Sequence, residues 1–453
     1  MRRRRRSSGK IKFYLIASFL LAAGLGTFVL HRAADRTYNV MDFGAKGDGR
    51  SDDTAAIQQA LDRASSRHAT VYFPPGTYLV DPAKPLSVQS NTTVKGTGER
   101  SVLIGDTASF GSTLVSLSGT NIRIEGMRLN GNDAVNRVLT IESGSSRISI
   151  ADSGVERASQ SSRPSDGDYY NSVVSGIWIY GDTSDIDIER TDIGHVQALH
   201  LLGGSVIARG IYITTTEGSN EHVGKNIRIT NNDIHDVGPA DDGDGIYYED
   251  RRLETGDAEN TGSRIEDNRF ENNAKRAVKI YAEGVTVSGN RILNNYLNDN
   301  YYRGENKGKL APDMYAGISI YADNNTVKDN VLSGSGSFYA AIELSSSRTI
   351  RNIVVTGNRI EMGASSNIKD ATAIRIGNIE DFTVSSNVLQ NSAKGIWIWQ
   401  NAEQGTIENN DISMPNGGGI EMSSYVADSR EKNIQIAGNL ISAKEFDVHA
   451  PTE

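Results

Sequence analysis

The stretch Gly317-Ile-Ser-Ile-Tyr321 shows a five-residue pattern that recurs along the chain: small, aliphatic, variable, aliphatic, variable. Alternation of aliphatic and variable residues predicts a short β-strand with one buried face. The pattern occurs nine times, beginning at Gly176, Ala198, Gly245, Ala277, Gly317, Ala341, Ala373, Gly395 and Gly419. One short strand cannot bury its own apolar face, so the repeats are predicted to stack on one another as a solenoid.

A second repeat, Asn followed two residues later by an aliphatic residue or Phe, marks another side of each coil. It occurs at Asn232, Asn268, Asn290, Asn330, Asn358, Asn387, Asn410 and Asn439. Asparagine forms turns, tolerates left-handed backbone geometry and can hydrogen-bond along a stack. Two or three short strands per coil with Asn or Gly corners predict an all-β fold, a single-stranded right-handed parallel β-helix of about twelve coils.

The N-terminus predicts export. Arginines at positions 2–6, with Lys10 and Lys12, precede an apolar run at 13–30 that is long enough to span a bilayer. We expect a basic cytoplasmic tail at 1–12, an uncleaved transmembrane signal anchor at 13–30 and a linker at 31–37. The protein would then be anchored by a single pass at a bacterial-type cell surface, with the C-terminal part outside. The alternative is a cleaved signal peptide and a secreted protein.

Composition narrows the partners. The chain of 453 residues has a formal net charge of −9, and without the basic N-terminus the charge is about −17. Nucleic acid is excluded as a partner, because its binding needs a basic surface. An anionic glycan would need local basic groups or a bridging cation. The absence of cysteine excludes disulfides, thiolate metal sites and a cysteine nucleophile.

Residues 38–80 form the predicted N-terminal cap and opening motif, residues 81–445 the parallel β-helix and residues 446–453 a C-terminal tail. Within the cap, Tyr38-Asn-Val-Met-Asp-Phe-Gly-Ala-Lys-Gly-Asp48 leads through a Gly-rich turn to a predicted helix at 53–65. We expect Ser51, Asp52 or Asp53 to cap this helix, and its apolar face to cover the open end of the solenoid.

The stretch 38–80 closely resembles the opening motif of the rhamnogalacturonase/epimerase-like pectate lyase domain, a family of pectin-lyase-like β-helix proteins. The resemblance implies a right-handed parallel β-helix and a carbohydrate substrate. It does not imply one reaction, since hydrolases, lyases, epimerases and tailspikes share this opening.

Stacking of the nine strands predicts two ladders of outward-facing side chains. Within each ladder, successive side chains lie about 4.8 Å apart, the distance between neighbouring strands. The first is predicted to contain Trp178, His200, Tyr247, Lys279, Ser319, Glu343, Arg375, Trp397 and Glu421. Aromatic faces stack on sugar rings and polar tips bind hydroxyls. The predicted substrate-binding residues are Trp178, Tyr180, Glu249, Tyr281, Tyr321, Glu343 and Arg375. Predicted excursions at 157–172, 203–225, 251–262 and 297–314 would form the walls of the groove.

A set of ionisable residues on three consecutive coils provides the predicted chemistry: Asp242, Asp244, Arg276, Lys279, His200 and Tyr247. Proton removal beside a uronate carboxylate requires cations that neutralise the carboxylate, a base and an acid. Arg276 and Lys279 could neutralise it, Lys279 or His200 could act as the base, and Tyr247 as the acid. No cofactor is certain; Asp241, Asp242 and Asp244 could instead hold Ca²⁺ as a bridge to a uronate.

Two other functions remain open. Gly243-Asp244-Gly245-Ile246 is similar to the coil of the polygalacturonases that carries paired aspartates, but only one corner aspartate carries over. A hydrolase would need two carboxyls beside the bond, for which Asp242 and Asp244 are the candidate pair. A non-catalytic glycan-binding or surface-scaffold protein is the alternative from another class. The predicted function is a lyase or epimerase that acts on an anionic, uronate-containing polysaccharide.

Overall fold

Three faces of short parallel strands surround an apolar interior in the computed structural model, which describes residues 36–202, 205–423 and 432–450. From Leu86 onward, the coils pass through face 1, face 2 and face 3 in that order. Strands of neighbouring coils pair in parallel, as do Val174–Ile179 and Ile207–Ile213. The fold is the predicted right-handed parallel β-helix, and face 3 contains 14 strands where about twelve coils were expected.

Face 1 consists of the strands Leu86–Gln89, Gly111–Ser118, Val135–Ile141, Val174–Ile179, Ile207–Ile213, Asp242–Glu249, Arg276–Tyr281, Met314–Ile320, Lys394–Ile398, Gly418–Met422 and Val448–His449. Face 2 consists of Thr37–Asn39, Thr70–Tyr72, Thr93–Lys95, Thr120–Glu125, Ser146–Ala151, Ser184–Glu189, Lys225–Thr230, Arg264–Glu266, Thr286–Ser288, Thr326–Lys328, Ala402–Glu408 and Ile434–Ala437. Two long strands, Phe338–Thr356 and Thr372–Ser385, turn the corner and belong to both faces.

Face 3 consists of Asp48–Asp52, Gly76–Val80, Ser101–Gly105, Arg128–Asn130, Gly154–Glu156, Asp192–Gln197, Asp233–Gly238, Arg269–Glu271, Arg291–Asn294, Val331–Gly334, Arg359–Glu361, Val388–Gln390, Asp411–Met414 and Leu440–Ala443. Short 3-10 helices cover Val40–Phe43, Pro164–Tyr169 and Arg251–Glu254. The aliphatic residues of the repeat fill the interior; Ile246, Val278 and Ile318 are aligned on consecutive strands and have no exposed surface.

The asparagine ladder runs along the corner between faces 2 and 3. The side-chain oxygen of each asparagine accepts the backbone N–H of the one before it, from Asn232 through to Asn439, over 2.9–3.0 Å. The left-handed residue is the one directly before each ladder position, as at Asn231, Asp267 and Gly289. The ladder is therefore confirmed, but its asparagines bridge coils while their predecessors make the turn.

The capping helix spans Thr54–Ser65 and packs Ile57, Ala60 and Leu61 into the core at the N-terminal end. Asp53 is the N-cap residue, but its side chain makes no capping hydrogen bond; the Asp52 carboxylate accepts the Thr54 backbone N–H at 3.0 Å. Asp53 is buried and instead accepts the backbone N–H groups of Lys46 and Gly47, which ties down the Gly-rich turn.

The predicted membrane anchor needs correction. No helix among the described residues is long and apolar enough to cross a bilayer. This finding removes support for the predicted single-pass membrane protein with an anchor at 13–30, a stretch that itself lies outside the described residues.

Candidate functional site

The outward side chains of face 1 form one ladder, because consecutive strands pair in register. From the N-terminal side, its members are Thr140, Trp178, Tyr212, Tyr247, Lys279, Ser319, Glu343, Arg375, Trp397 and Glu421. The ladder contains every predicted member except His200. Residues far apart in sequence thus become neighbours on one wall of the protein.

His200 does not lie on this ladder, and that prediction is wrong. It follows the face 3 strand Asp192–Gln197, where its ring stacks on Tyr170 with centroids 4.0 Å apart and its Nε2 lies 3.1 Å from the Ser161 carbonyl oxygen. The ladder position belongs to Tyr212, in the strand Ile207–Ile213 within the predicted excursion at 203–225. His200 therefore cannot act as a base beside Tyr247 on the ladder.

The sequence contained a signal for the correct strand. Gly210-Ile-Tyr-Ile-Thr214 fits the five-residue pattern as well as Ala198-Leu-His-Leu-Leu202 does. It also divides the interval between Gly176 and Gly245 almost evenly, as coils of similar length would require. The same strand carries Arg209, a site residue that the sequence analysis missed.

A groove of about 510 Å³ lies on face 1. It is lined by Tyr247, Arg276, Lys279, Tyr281, Tyr315, Tyr321, Glu343, Ser345, Ser346, Ser347, Arg375, Asn378, Trp399 and Gln400. Seven of the predicted catalytic and substrate-binding residues are in this lining. Of the other six, His200 is in the loop just described, and Asp242, Asp244, Glu249, Trp178 and Tyr180 lie outside the lining on the N-terminal side of the groove.

Asp242 and Asp244 are bound by arginines. Arg209 donates to the carboxylate and the carbonyl oxygen of Asp242, and its Nη1 lies 3.1 Å from the Asp244 carboxylate. Arg276 is 3.5 Å from Asp244 and 3.6 Å from Asp242. Burial by itself raises the pKa of Asp242, but the charges of Arg209 and nearby lysines outweigh burial and hold that pKa well below its usual range.

The same contacts argue against the predicted calcium site. The carboxylates of Asp242 and Asp244 already face guanidinium groups, and Asp241 accepts the backbone N–H groups of Arg303 and Gly304 at 2.7 and 2.9 Å. Across the described chain, these three aspartates do not form a group whose oxygens converge on one point. Ca²⁺ needs six or more oxygen ligands, so these residues do not fit it.

Lys279 is the least neutralised cation of the groove. Its Nζ lies 4.0 Å from the centroid of the Tyr247 ring, and no carboxylate oxygen of the described residues comes within 4.0 Å of it. Burial, together with the charges of Arg209 and Arg276, lowers the pKa of Lys279 to about 8, although Asp244 and Asp242 oppose the shift. A fraction of this amine is therefore neutral near pH 7 and able to accept a proton.

The aromatic cluster beside the groove is held by Glu249. Its carboxylate accepts hydrogen bonds from Tyr212 at 2.6 Å, from Thr214 at 2.8 Å and from Tyr247 at 3.1 Å. Burial and the neighbouring Glu249 charge raise the pKa of Tyr247 far above its usual value, so this phenol keeps its proton. Trp178, one coil earlier, contacts Tyr212 and lies under Arg137 rather than in the groove.

Glu343 organises the middle of the groove. It accepts hydrogen bonds from Tyr321 at 2.6 Å and from Tyr315 at 2.9 Å, and the Nη1 of Arg375 is 3.4 Å away. Arg276 in turn donates to the hydroxyls of Tyr321 and Ser319. These bonds link neighbouring coils and fix the direction of both arginines.

The far end of the groove is aromatic and cationic. The Arg375 guanidinium lies 3.8 Å from the centroid of the Trp399 ring, and its Nε is buried without a hydrogen-bond partner among the described residues. Trp399 also lines the groove. A guanidinium beside an indole can bind a carboxylate while the ring stacks on a sugar.

Comparison with protein families matches residues 37–304, more than half of the chain, to the family described as Rhamnogalacturonase A/epimerase, pectate lyase-like. Residues 298–449 match the family described as Periplasmic copper-binding protein (NosD).

Individual relatives cover much less. Mannuronan C5-epimerase AlgE5 of Azotobacter vinelandii is 34% identical over 137 residues, which are 23% of this chain and 14% of that protein. A probable glucan endo-1,3-beta-glucosidase of Arthroderma benhamiae is 48% identical over 68 residues, 13% of this chain and 8% of that protein. The chain thus matches less than one sixth of the length of either relative.

Among solved structures, PfbA, a surface adhesin of Streptococcus pneumoniae, superposes with a TM-score of 0.57 at 16% identity, over 91% of this chain and 93% of that one. At this identity the likeness establishes the β-helix fold alone. An epimerase, a glucosidase and an adhesin all resemble the chain, so these likenesses do not specify its chemistry.

Proposed function

The chain belongs to the Rhamnogalacturonase A/epimerase, pectate lyase-like family, and from this premise we propose that its groove binds a uronate-containing polysaccharide and removes the C5 proton of a uronate. After this step, a lyase would cleave the polysaccharide, whereas an epimerase would invert the configuration at C5.

The charge of the groove carries this proposal. Its lining contains three cationic side chains, Arg276, Lys279 and Arg375, and a single carboxylate, Glu343, in a protein whose net charge is −9. A locally cationic groove on an acidic protein favours an anionic ligand over a neutral one. Aromatic side chains at both ends, Tyr247 and Trp399, suit sugar rings between the charges.

The chemistry follows from these side chains. The neutral amine of Lys279 takes the C5 proton, and the electron pair of that C–H bond moves into the uronate carboxylate. Arg276 stabilises the charge that develops there, and Arg375, three coils away on the ladder, would bind the carboxylate of another uronate of the polymer. For a lyase, the electrons return to form the C4–C5 double bond while the C4–O bond breaks and the Tyr247 phenol protonates the departing oxygen. For an epimerase, C5 would instead receive a proton from water on the opposite side of the sugar ring, because Tyr247 lies beside Lys279 on the same wall of the groove.

The hydrolase alternative has weaker support. Glycoside hydrolysis needs two carboxyls beside the scissile bond, one of them protonated. Asp242 and Asp244 lie outside the groove lining and face Arg209 and Arg276, and the lowered pKa of Asp242 opposes a role as an acid. Glu343 is the single carboxyl in the lining.

A panel of polyuronates tests the proposal. We expect the protein to produce unsaturated uronates, seen by ultraviolet absorbance, or C5-inverted uronates, seen by NMR. The variant Lys279→Met should lose either activity by at least about 100-fold. The exposed Lys444→Met serves as the matched control and should retain full activity.

Three other outcomes would contradict the proposed reaction. New reducing ends without unsaturation or inversion would indicate a hydrolase. Saturable binding of a polyuronate with no product would indicate a non-catalytic glycan-binding protein. Full activity of Lys279→Met would remove the proposed base.

A further inference from the structure

A group of two histidines and two aspartates lies on face 3, away from the groove. The strands Asp192–Gln197 and Asp233–Gly238 are paired in adjacent coils, with Gly194 opposite His235. The next residue on each strand, His195 and Asp236, has left-handed backbone geometry, with φ of 54° and 51°. This register brings side chains 41 positions apart in sequence to one patch of the surface.

The imidazole of His235 is the centre of the group. Its Nδ1 lies 2.8 Å from an oxygen of Asp236, and its Nε2 lies 2.9 Å from an oxygen of Asp192. The Nδ1 of His195 is 3.8 Å from the same oxygen of Asp236, and the two rings meet edge to face with centroids 5.1 Å apart. One ligand atom from each of His195, His235 and Asp236 lies within 4.8 Å of the others.

Glycine at position 194 makes room for this arrangement. A Cβ there would come within 2.5 Å of the His235 ring, which rests directly on the backbone of the preceding coil. The site is open to water on its outer side, since the side chain of His195 is 56% exposed and that of Asp236 42%. A ligand could therefore reach it without rearrangement of the fold.

We propose that His195, His235 and Asp236 bind a divalent transition metal such as Zn²⁺. Two imidazoles and one carboxylate suit ions of this class, and the fourth position would be filled by water. In a tetrahedral site with bonds of about 2.0 Å, ligand atoms lie about 3.3 Å apart. The distances of 2.8 and 3.8 Å from the Asp236 oxygen to the two histidine nitrogens fall on either side of that value.

Asp192 supplies the support that such a site needs. A metal-binding histidine usually donates its second ring N–H to a carboxylate, which fixes the tautomer and the direction of the ring. With Nδ1 of His235 on the metal, Nε2–H donates to Asp192 over the observed 2.9 Å. The group lies outside residues 298–449, which match the copper-binding family.

Calorimetric titration of the chelator-treated full chain with Zn²⁺ tests the proposal. We expect one tight equivalent that is weakened at least about tenfold in His195→Asn, a variant that keeps a residue tolerant of left-handed geometry. Asp192→Asn, which alters only the support, should weaken binding by about 10–100-fold. His222→Asn replaces a histidine in a different loop and serves as the control with unchanged affinity.

Co²⁺ provides a second readout, since a tetrahedral cobalt site absorbs visible light strongly. The wild type and His222→Asn should show this absorption, and His195→Asn should not. Equal Zn²⁺ affinity in the wild type and in His195→Asn, or no binding by either, would overturn the proposal. In either case the group would be an ion-paired histidine that only joins two coils.

Discussion

At the scale of single residues, the buried charges around Asp242 and Lys279 leave both side chains with a lowered pKa. The positive charges around Asp242 favour its ionised form and lower its pKa. Burial, together with the charges of Arg209 and Arg276, disfavours the protonated amine of Lys279 and lowers its pKa as well. Asp242 therefore stays a constant negative charge over the working pH range. Lys279 is the group in this network whose protonation changes near neutral pH.

The first prediction concerns the pH dependence of activity. If neutral Lys279 removes the C5 proton, the rate should rise as pH increases and should level off above about pH 8, where the amine has lost its proton. Below that pH, the rate should fall about tenfold for each pH unit. Initial rates on one polyuronate between pH 5.5 and 9.5 measure this profile, and a rate that falls through pH 8 would rule out Lys279 as the base.

The second prediction concerns stability. Burial lowers the pKa of Lys279 from 10.5 to about 8, so below pH 8 the amine is protonated in both states and the cost of burying its charge is present in full. Between about 8 and 10.5 only the unfolded chain keeps the proton, and the cost shrinks. Inactive Lys279→Met should therefore unfold at an equal or higher temperature than the wild type at pH 7.

The test is how the difference in unfolding temperature between Lys279→Met and the wild type changes with pH. Thermal unfolding at pH 7 and at pH 10 should show the advantage of Lys279→Met narrowing at the higher pH. An advantage that grows with pH would contradict the assignment of a lowered pKa, and a large loss of stability at pH 7 would mean that Lys279 has a structural role.

At the scale of elements, the asparagine ladder stabilises the fold by hydrogen bonds between neighbouring coils as well as by its place at the turns. Asn330 accepts the backbone N–H of Asn290 and donates to the carbonyl oxygen of Val287, both over 3.0 Å, and it is fully buried. Removal of its amide would leave a buried N–H and a buried C=O without partners. Each such group costs about 1–3 kcal/mol.

The third prediction follows from this contact. Asn330→Ala should lower the free energy of unfolding by about 2–4 kcal/mol, measured by urea denaturation. Asn306→Ala, at an exposed position in the loop before Met314, should change it by less than about 0.5 kcal/mol. Equal effects of the two substitutions would show that the ladder does not stabilise the coils.

The sequence predicted these elements unequally. The strands and the ladder followed from local patterns, because period-two alternation and Asn-x-aliphatic corners are visible within a few residues. The local pattern did not show which segment forms the face 1 strand between Gly176 and Gly245. The segments that begin at 198 and 210 both fit the pattern, and only strand pairing between coils distinguishes them. That error placed His200 on the ladder and hid Arg209, the partner of Asp242 and Asp244.

The candidate site was predictable in position but not in its state of charge. Seven predicted residues line the groove because the period of the repeat determines which side chains point outward. Whether Asp242 is a free acid or an ion pair depends on an arginine 33 residues away, and no local pattern reveals that contact.

At the scale of the whole molecule, the groove is a cationic strip on an acidic protein. Excursions between face 3 and face 1, such as residues 295–313, and between face 1 and face 2, such as residues 250–263, border the ladder on both sides. The solenoid thus supplies a rigid, repetitive wall, and the loops give it depth. An extended polymer would fit such a groove better than a small compact ligand.

The fourth prediction concerns salt. If charge attraction brings the polymer to the groove, the affinity for a polyuronate should fall about tenfold between 0.05 and 0.5 M NaCl, because salt screens these charges. The affinity for a neutral glucan should be low and should not depend on salt. Titration by tryptophan fluorescence, to which Trp399 in the groove contributes, measures both affinities. Binding of the polyuronate that does not respond to salt would contradict the electrostatic account.

The most direct test is the release of deuterium from a polyuronate labelled at C5. Both proposed reactions break that C–H bond, so the wild-type protein should release the label into water, whereas Lys279→Met should not. A polymer that is shortened, or bound without being shortened, while all of its C5 label remains would contradict the account.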